Sequence, residues 1–198
     1  QIDIIENASD DAIAGFIETA LRGALAAAPE PVAISVPGGS TPFPIMEKLV
    51  QTNLDWSRIT VWPGDDRVVP EDHEASNTGR IRALFEPASA HVATLTVMEQ
   101  VPHFALVWLG MGADGHVASL FPNTDPQADD PAPIRRLTPD PLPPEAPFDR
   151  VTLTMHSLLD SDALMFVIRG DDKRVVFDTA TRGESDLPVA RLLKAAGQ

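Results

Sequence analysis

Short, almost wholly apolar runs that end in glycine turns constrain this chain more than any other feature. "PVAISV" (31–36) runs into "PGGSTP" (37–42), "SRITVW" (57–62) into "PGDDR" (63–67), and "FALVWLG" (104–110) into "MGADGH" (111–116). A strand with one wet face alternates polar and apolar residues. A run that is apolar at nearly every position must be buried on both faces, as strands of parallel sheets are. Helical spacing fills the gaps. Ile13, Phe16, Ile17, Ala20, Leu21, Ala24 and Leu25 form a stripe within 9–28, behind a cap at Ser9 or Asp10. "FPIMEKLV" follows Pro42, which a first helical turn tolerates, and 74–85 reads as helix in its second half.

The same alternation continues to the end of the chain. "VATLTVM" (92–98) is a weaker strand, "RVTLTM" (150–155) and "ALMFVIRG" (163–170) are strand-like, and "HVASLF" from His116 reads as the first turns of a helix or a helix-like segment. A helix over 171–183 closes at Gly183, and "LPVARLLKAAGQ" is a short last helix. Nine of the 19 prolines fall within 122–149, which predicts an extended surface segment or lid there in place of helix. The expected fold is α/β: a mainly parallel, doubly wound (Rossmann-like) sheet with helices on both faces, in one domain spanning 1–198.

Composition excludes several classes of function. No cysteine is present, so no disulfide, thiolate nucleophile or cysteine-based zinc site can form. The formal net charge of −14 argues against nucleic acid, whose phosphates need basic patches. A phosphorylated small molecule remains compatible, provided a few cations gather against that background. No run of about 18 apolar residues and no basic, apolar leader occurs, so neither a membrane span nor a signal peptide is expected and a cytoplasmic protein is. His73, His91, His103 and His156 have no metal-ligand spacing with one another or with His116, so neither a metal nor a cofactor is expected.

In parallel sheets ligands bind beyond the carboxyl ends of the strands. Gly38, Gly39, Ser40 and Thr41 offer close backbone approach and hydroxyls at a helix start, which suits a phosphate. They equally suit a plain capped turn. Asp65, Asp66 and Arg67 can orient an imidazole or grip an anion, or form a solvated acidic turn. "GMGADGH" lacks the third glycine of a dinucleotide fingerprint. His116, on a helix-initiating turn that would lower its proton affinity, is a candidate general base; alternatively it is a packed surface residue. Arg150, opening a strand, and Lys173, in the first turn of a helix, can reach the same mouth or remain solvated.

Taken together, "PGGSTP", "DDRVVP" with "SN" at 76–77, "LGMGADGHVASLFP", "RVTLT" and "GDDK" resemble the 6-phosphogluconolactonases, in the superfamily shared with glucosamine-6-phosphate deaminase. The pieces occur in that family's order over about two-thirds of the chain. The family's usual Asp-Glu-Arg stands here as Asp65-Asp66-Arg67. The resemblance implies hydrolysis of 6-phospho-D-glucono-1,5-lactone in the oxidative pentose phosphate pathway. It implies His116 as base, with Asp65 fixing its tautomer and either Arg67 or backbone N–H groups of 112–115 at the oxyanion. Substrate-binding positions follow at Gly38, Gly39, Ser40, Thr41, Asp114, Gly115, Arg150 and Lys173, with Arg67 a further phosphate candidate. The implied partner is a phosphorylated sugar lactone, with no nucleic acid or membrane, the protein being a monomer or weak homodimer. The deaminases carry an acidic residue five positions beyond the histidine; Phe121 stands there, which favours the lactonase. A non-catalytic sugar-phosphate sensor is the alternative outside enzymes.

Overall fold

Successive residues of a strand point to opposite sides, and in the centre of this molecule both sides are apolar and buried. Val32, Ile34 and Val36 enter one core while Ala33 enters another; Leu106 and Trp108 join the first, Val107 and Leu109 the second. Each fully buried aliphatic or aromatic side chain contributes about 1.5–3 kcal/mol relative to exposure, so these runs are held as strands between two covering layers. The computed structural model describes residues 1–197.

In chain order the elements are α1 (Asp10–Ala27), β1 (Val32–Val36), α2 (Pro42–Val50), β2 (Ile59–Pro63), β3 (Asp65–Arg67), α3 (Asn77–Phe85), β4 (His91–Val92), β5 (Leu106–Leu109), β6 (Ile134–Leu137), β7 (Arg150–Leu153), α4 (Met155–Leu159), β8 (Leu164–Phe166), α5 (Asp171–Thr181) and α6 (Pro188–Ala195). Five strands form a wholly parallel sheet in the order β4-β2-β1-β5-β8. The chain starts in the middle, winds outward through β2 and β4, then returns to build the other half. Between β1 and β5 the winding reverses, and a crevice opens at the carboxyl ends on either side of such a switch. α1, α2 and α3 pack around the first core; α4, α5 and α6 cover the second. Ser9 caps α1, its hydroxyl accepting from Ala12 N at 3.1 Å.

A second sheet, antiparallel and ordered β3-β7-β6, lies over the second core. Gly64 is the corner between the sheets. Its N–H donates to Val36 O in the parallel sheet and its carbonyl accepts from Leu153 N in the antiparallel one. β2 therefore passes into β3 with a single residue between them.

Several expectations are corrected here. Residues 92–98 are not a strand beyond Val92: Ala93 N still reaches Val61 O, but β4 is an edge and the chain then leaves it. "HVASLF" is not helical. It is a tight turn closed by Leu120 N to Val117 O at 2.9 Å, with Ala118 at a positive φ of 49°. The strand expected through Met155 ends at Leu153, and α4 begins there. "DDR" is a strand, and the proline-rich segment is partly sheet. Its proline-free window Ile134–Leu137 pairs with β7 and buries Ile134, so this segment is anchored to the fold. Among the described residues no helix is long and apolar enough to cross a membrane.

Candidate active site

Four strand ends and one corner converge on a cleft of about 330 Å³ at the carboxyl edge of the parallel sheet. The first wall is the β1–α2 loop. Gly38 leaves no room for a side chain because Asn77 fills the space where a Cβ would stand, and Gly39 has φ +110°, which favours glycine. Ser40 and Thr41 then lie exposed at the start of α2, and Thr41 makes no side-chain capping bond. Pro42 at the first helical turn lacks an N–H that would be unpaired there in any case.

The second wall is the antiparallel sheet. Alternation along β3 sends Asp65 and Arg67 to the cleft and Asp66 away from it. Asp66 is buried and accepts from the backbone N–H groups of Arg67, Asn77 and Thr78 and from Thr78 Oγ1, tying β3 to the start of α3. Arg67 Nη1 donates to Ala75 O and Asn77 Oδ1 at 3.2 and 3.3 Å. Arg150, its cross-strand neighbour, is buried and donates to Ala146 O at 2.8 Å and to Phe148 O at 3.3 Å. Burial lowers the pKa of that guanidinium. It also holds the Asp65 carboxyl above the usual carboxylate range, against the Ser119 hydrogen bond and the fields of Arg150, His116 and Arg67.

The third wall follows β5. His116 Nδ1 lies 2.6 Å from Asp114 Oδ1, which also accepts the His116 N–H at 3.1 Å. That hydrogen bond holds the Asp114 carboxyl below the ordinary carboxylate range. The imidazole stacks on Phe121 with ring centroids 4.6 Å apart, and Arg150 lies 5.4 Å over the far ring. A Cβ at Gly112 would overlap the imidazole, so the glycine is what lets the ring lie against the loop. Gly115, at φ +81°, abuts Leu187, and its carbonyl receives Val189 N from α6.

Of the residues singled out from sequence, His116, Asp65, Arg67, Gly38, Gly39, Ser40, Thr41, Arg150 and Lys173 line the cleft; Asp114 and Gly115 do not. Asp114 holds the imidazole from behind, and Gly115 seats α6. Three roles are corrected. The hydrogen bond to His116 Nδ1 comes from Asp114 and not Asp65, whose Oδ2 accepts from Ser119 Oγ at 2.5 Å. No helix starts at His116, so no helix terminus tunes it. The N–H groups of Gly112 and Gly115 donate to His116 O and Gly112 O, so neither points into the cleft as an oxyanion donor.

Sequence reasoning missed Asn77 as a lining residue and Arg169 altogether. Arg169 lines the cleft while donating to Ala8 O and Asp10 Oδ1. Its signal was its place three residues beyond β8, directly before the Gly170 turn. Four cations (Arg67, Arg150, Arg169 and Lys173) against one carboxylate, Asp65, thus line the cleft of a chain whose net charge is −14. Among the described residues no group of three or more His, Asp or Glu side chains is arranged to hold a metal ion.

A family profile described as glucosamine-6-phosphate isomerases/6-phosphogluconolactonase matches residues 6–93 and 83–198. A 6-phosphogluconolactonase of Neisseria meningitidis serogroup A is 32% identical over 97% of this chain and 93% of its own. One from Pseudomonas aeruginosa is 34% identical over 92% of this chain and 86% of its own. The crystal structure of a Thermotoga maritima 6-phosphogluconolactonase superimposes with TM-score 0.79 at 26% identity, covering 93% of this chain and 90% of that one.

Proposed function

The chain belongs to the family of glucosamine-6-phosphate isomerases and 6-phosphogluconolactonases, and from that premise we propose that it hydrolyses 6-phospho-D-glucono-1,5-lactone to 6-phosphogluconate, with His116 as general base. This is the lactone-opening step of the oxidative pentose phosphate pathway. The observation that carries the reading is the Asp114–His116 pair at a cleft lined by four cations.

Asp114 takes the Nδ1 proton in hydrogen bond, which fixes the tautomer that leaves Nε2 basic. Nε2 takes a proton from water as its oxygen bonds to C1 of the lactone. The carbonyl electrons move to oxygen, and Arg67 faces the resulting oxyanion. On collapse the C1–O5 bond breaks, the imidazolium returns its proton to O5, and the new carboxylic acid ionises. One positioned imidazole serves both transfers. Ser40, Thr41, the start of α2 and Lys173 hold the phosphate, so binding of the remote group positions the reacting carbon. Phe121 stacks against His116 where the amino-sugar isomerisation would need an acid, and a phenyl ring cannot shuttle a proton.

The test generates the lactone in place with glucose-6-phosphate dehydrogenase and follows its loss with protein and with buffer alone. Acceleration far above the spontaneous rate is expected, with no ammonia released from glucosamine 6-phosphate. His116→Ala should lose about 10²–10⁴-fold in turnover while its unfolding midpoint changes little. A folded wild-type protein that does not speed lactone loss would overturn the reading.

A further inference from the structure

The wall that carries His116 is held by a contact the proposed chemistry does not use. Ser119 is fully buried, and its hydroxyl donates to Asp65 Oδ2 at 2.5 Å across 54 positions of sequence. Its backbone N–H donates to Thr152 Oγ1 at 3.2 Å, and Thr152 is the cross-strand partner of Asp65. The hydroxyl and the N–H of Ser119 therefore both go to one register position of the antiparallel sheet. Ser119 sits at the apex of the turn closed by Leu120 N to Val117 O, and the two residues flanking that turn, His116 and Phe121, are stacked on each other. The remaining apex residue, Ala118, lines the cleft with φ 49°, a left-handed conformation that an L-residue adopts at a cost and keeps only where its surroundings over-determine it.

We propose that Ser119 is a positioning residue for the lactonase reaction: by clamping the strained Val117–Leu120 turn to Asp65 and Thr152, it fixes the face that His116 presents to the cleft. The inference rests on the lactonase reading for its kinetic consequence, although the clamp itself does not. It also gives Asp65 a task compatible with its lack of a bond to His116. Asp65 acts on the base through the loop that carries it, while Asp114 acts on the ring directly. The phosphate-holding residues Ser40, Thr41 and Lys173 stand on other elements, so loosening the turn should misplace the base without releasing the substrate.

Four readouts decide this. Ser119→Ala should lower kcat by about ten- to a hundredfold, the scale of an ångström-sized misplacement, with KM for the phosphorylated lactone within about twofold. In Asp65→Ala the same substitution should add nothing further, because the two residues form one unit. Ala118→Gly, which removes the φ penalty, should restore part of the kcat lost in Ser119→Ala. Amide hydrogen exchange at Leu120 should quicken in Ser119→Ala by about tenfold or more. A kcat within twofold of wild type, multiplicative effects of Ser119→Ala and Asp65→Ala, or unchanged exchange at Leu120 would each overturn the proposal. Should Ser119→Ala fail to fold, Thr152→Val removes the other anchor at nearly constant shape and is expected to show the same pattern more weakly. Inactive wild-type protein whose Leu120 exchange still depends on Ser119 would sink the lactonase reading and leave the clamp standing.

Discussion

The five parallel strands bury apolar side chains on both faces, whereas the three antiparallel strands bring Asp65, Arg67 and Arg150 to the same cleft from a surface that is only partly apolar. Burial along β1 and β5 is complete, while β3 alternates between half-buried and buried residues and β6 leaves Arg135 and Arg136 exposed. The parallel sheet can thus hold its loops in place through packing alone. The antiparallel sheet gathers charged side chains at the cleft, and it is tied to the rest of the fold by the Gly64 corner and by packing against the second core. One sheet supplies most of the apolar packing and the glycine-serine-threonine loop; the other supplies cleft-facing charges and the anchor for the turn after His116. Stability and activity should therefore respond differently to damage in the two sheets.

The largest separation is expected from His116→Ala, which should remove most turnover and cost little stability, about as little as Asp114→Asn. Leu106→Ala, in the middle of the parallel sheet, should do the reverse. The side chain is fully buried, so about 2–5 kcal/mol of unfolding free energy should be lost in urea titration, with KM unchanged in the remaining folded protein. Equal loss of activity and stability from Leu106→Ala would break the division between the sheets.

Asp65→Asn sharpens it from the other side. Burial raises the Asp65 carboxyl above its unfolded value, so the folded state pays for its charge at neutral pH. A raised acid contributes more favourably as pH falls through its folded pKa, when it protonates, and least favourably above it. The amide keeps an acceptor for Ser119 without the charge. The variant should be more stable than wild type at pH 7 in urea, with the advantage narrowing as the pH is lowered, and it should be slower in lactone hydrolysis. A less stable variant at pH 7 would show that the fields of Arg67 and Arg150 outweigh desolvation.

The smallest effect concerns Asp114, half exposed beside His116. Its folded pKa is depressed, so its contribution is fully present above the ordinary carboxylate range and disappears as pH falls through the lowered value. Unfolding midpoints of wild type and Asp114→Asn should differ slightly at neutral pH and converge in acid. Turnover should fall in the variant at neutral pH, because an amide does not hold the Nδ1 tautomer as the carboxylate does.

The comparison between the sheets also explains which parts of the fold could be read in advance. β1, β2 and β5 announced themselves as continuous apolar runs, and α1 as a 3.6-residue stripe. β3 did not, because "DDR" becomes a strand only by pairing with β7, and no local pattern reports a partner more than 80 positions away from Asp65. β6 did not, because prolines flank "IRRL" and its two arginines both stay exposed, which breaks the alternation of a half-buried strand. In the proline-rich segment extended chain was expected, and part of it pairs as β6. Its prolines do exclude helix, but Ile134–Leu137 lies between them and completes a sheet edge. "HVASLF" misled by spacing: apolar residues that a helix would place on one face instead close a turn around Ser119.

Residue types and their order determined by themselves that strand ends would meet in a cleft, that a glycine-serine-threonine loop would line it, and that His116 stood in a glycine turn after the most apolar run of the chain. Short-range steric and hydrophobic rules act on neighbours in sequence, so those features are written locally. Only the tertiary structure decided that Asp114 and not Asp65 holds the imidazole, that Asp66 turns inward to bind the start of α3, and that Ser119 meets Asp65. The Asp66 and Ser119 contacts depend on which face of β3 points where once two sheets share the Gly64 corner, whereas the Asp114 contact spans only two residues and depends on how the loop after β5 turns.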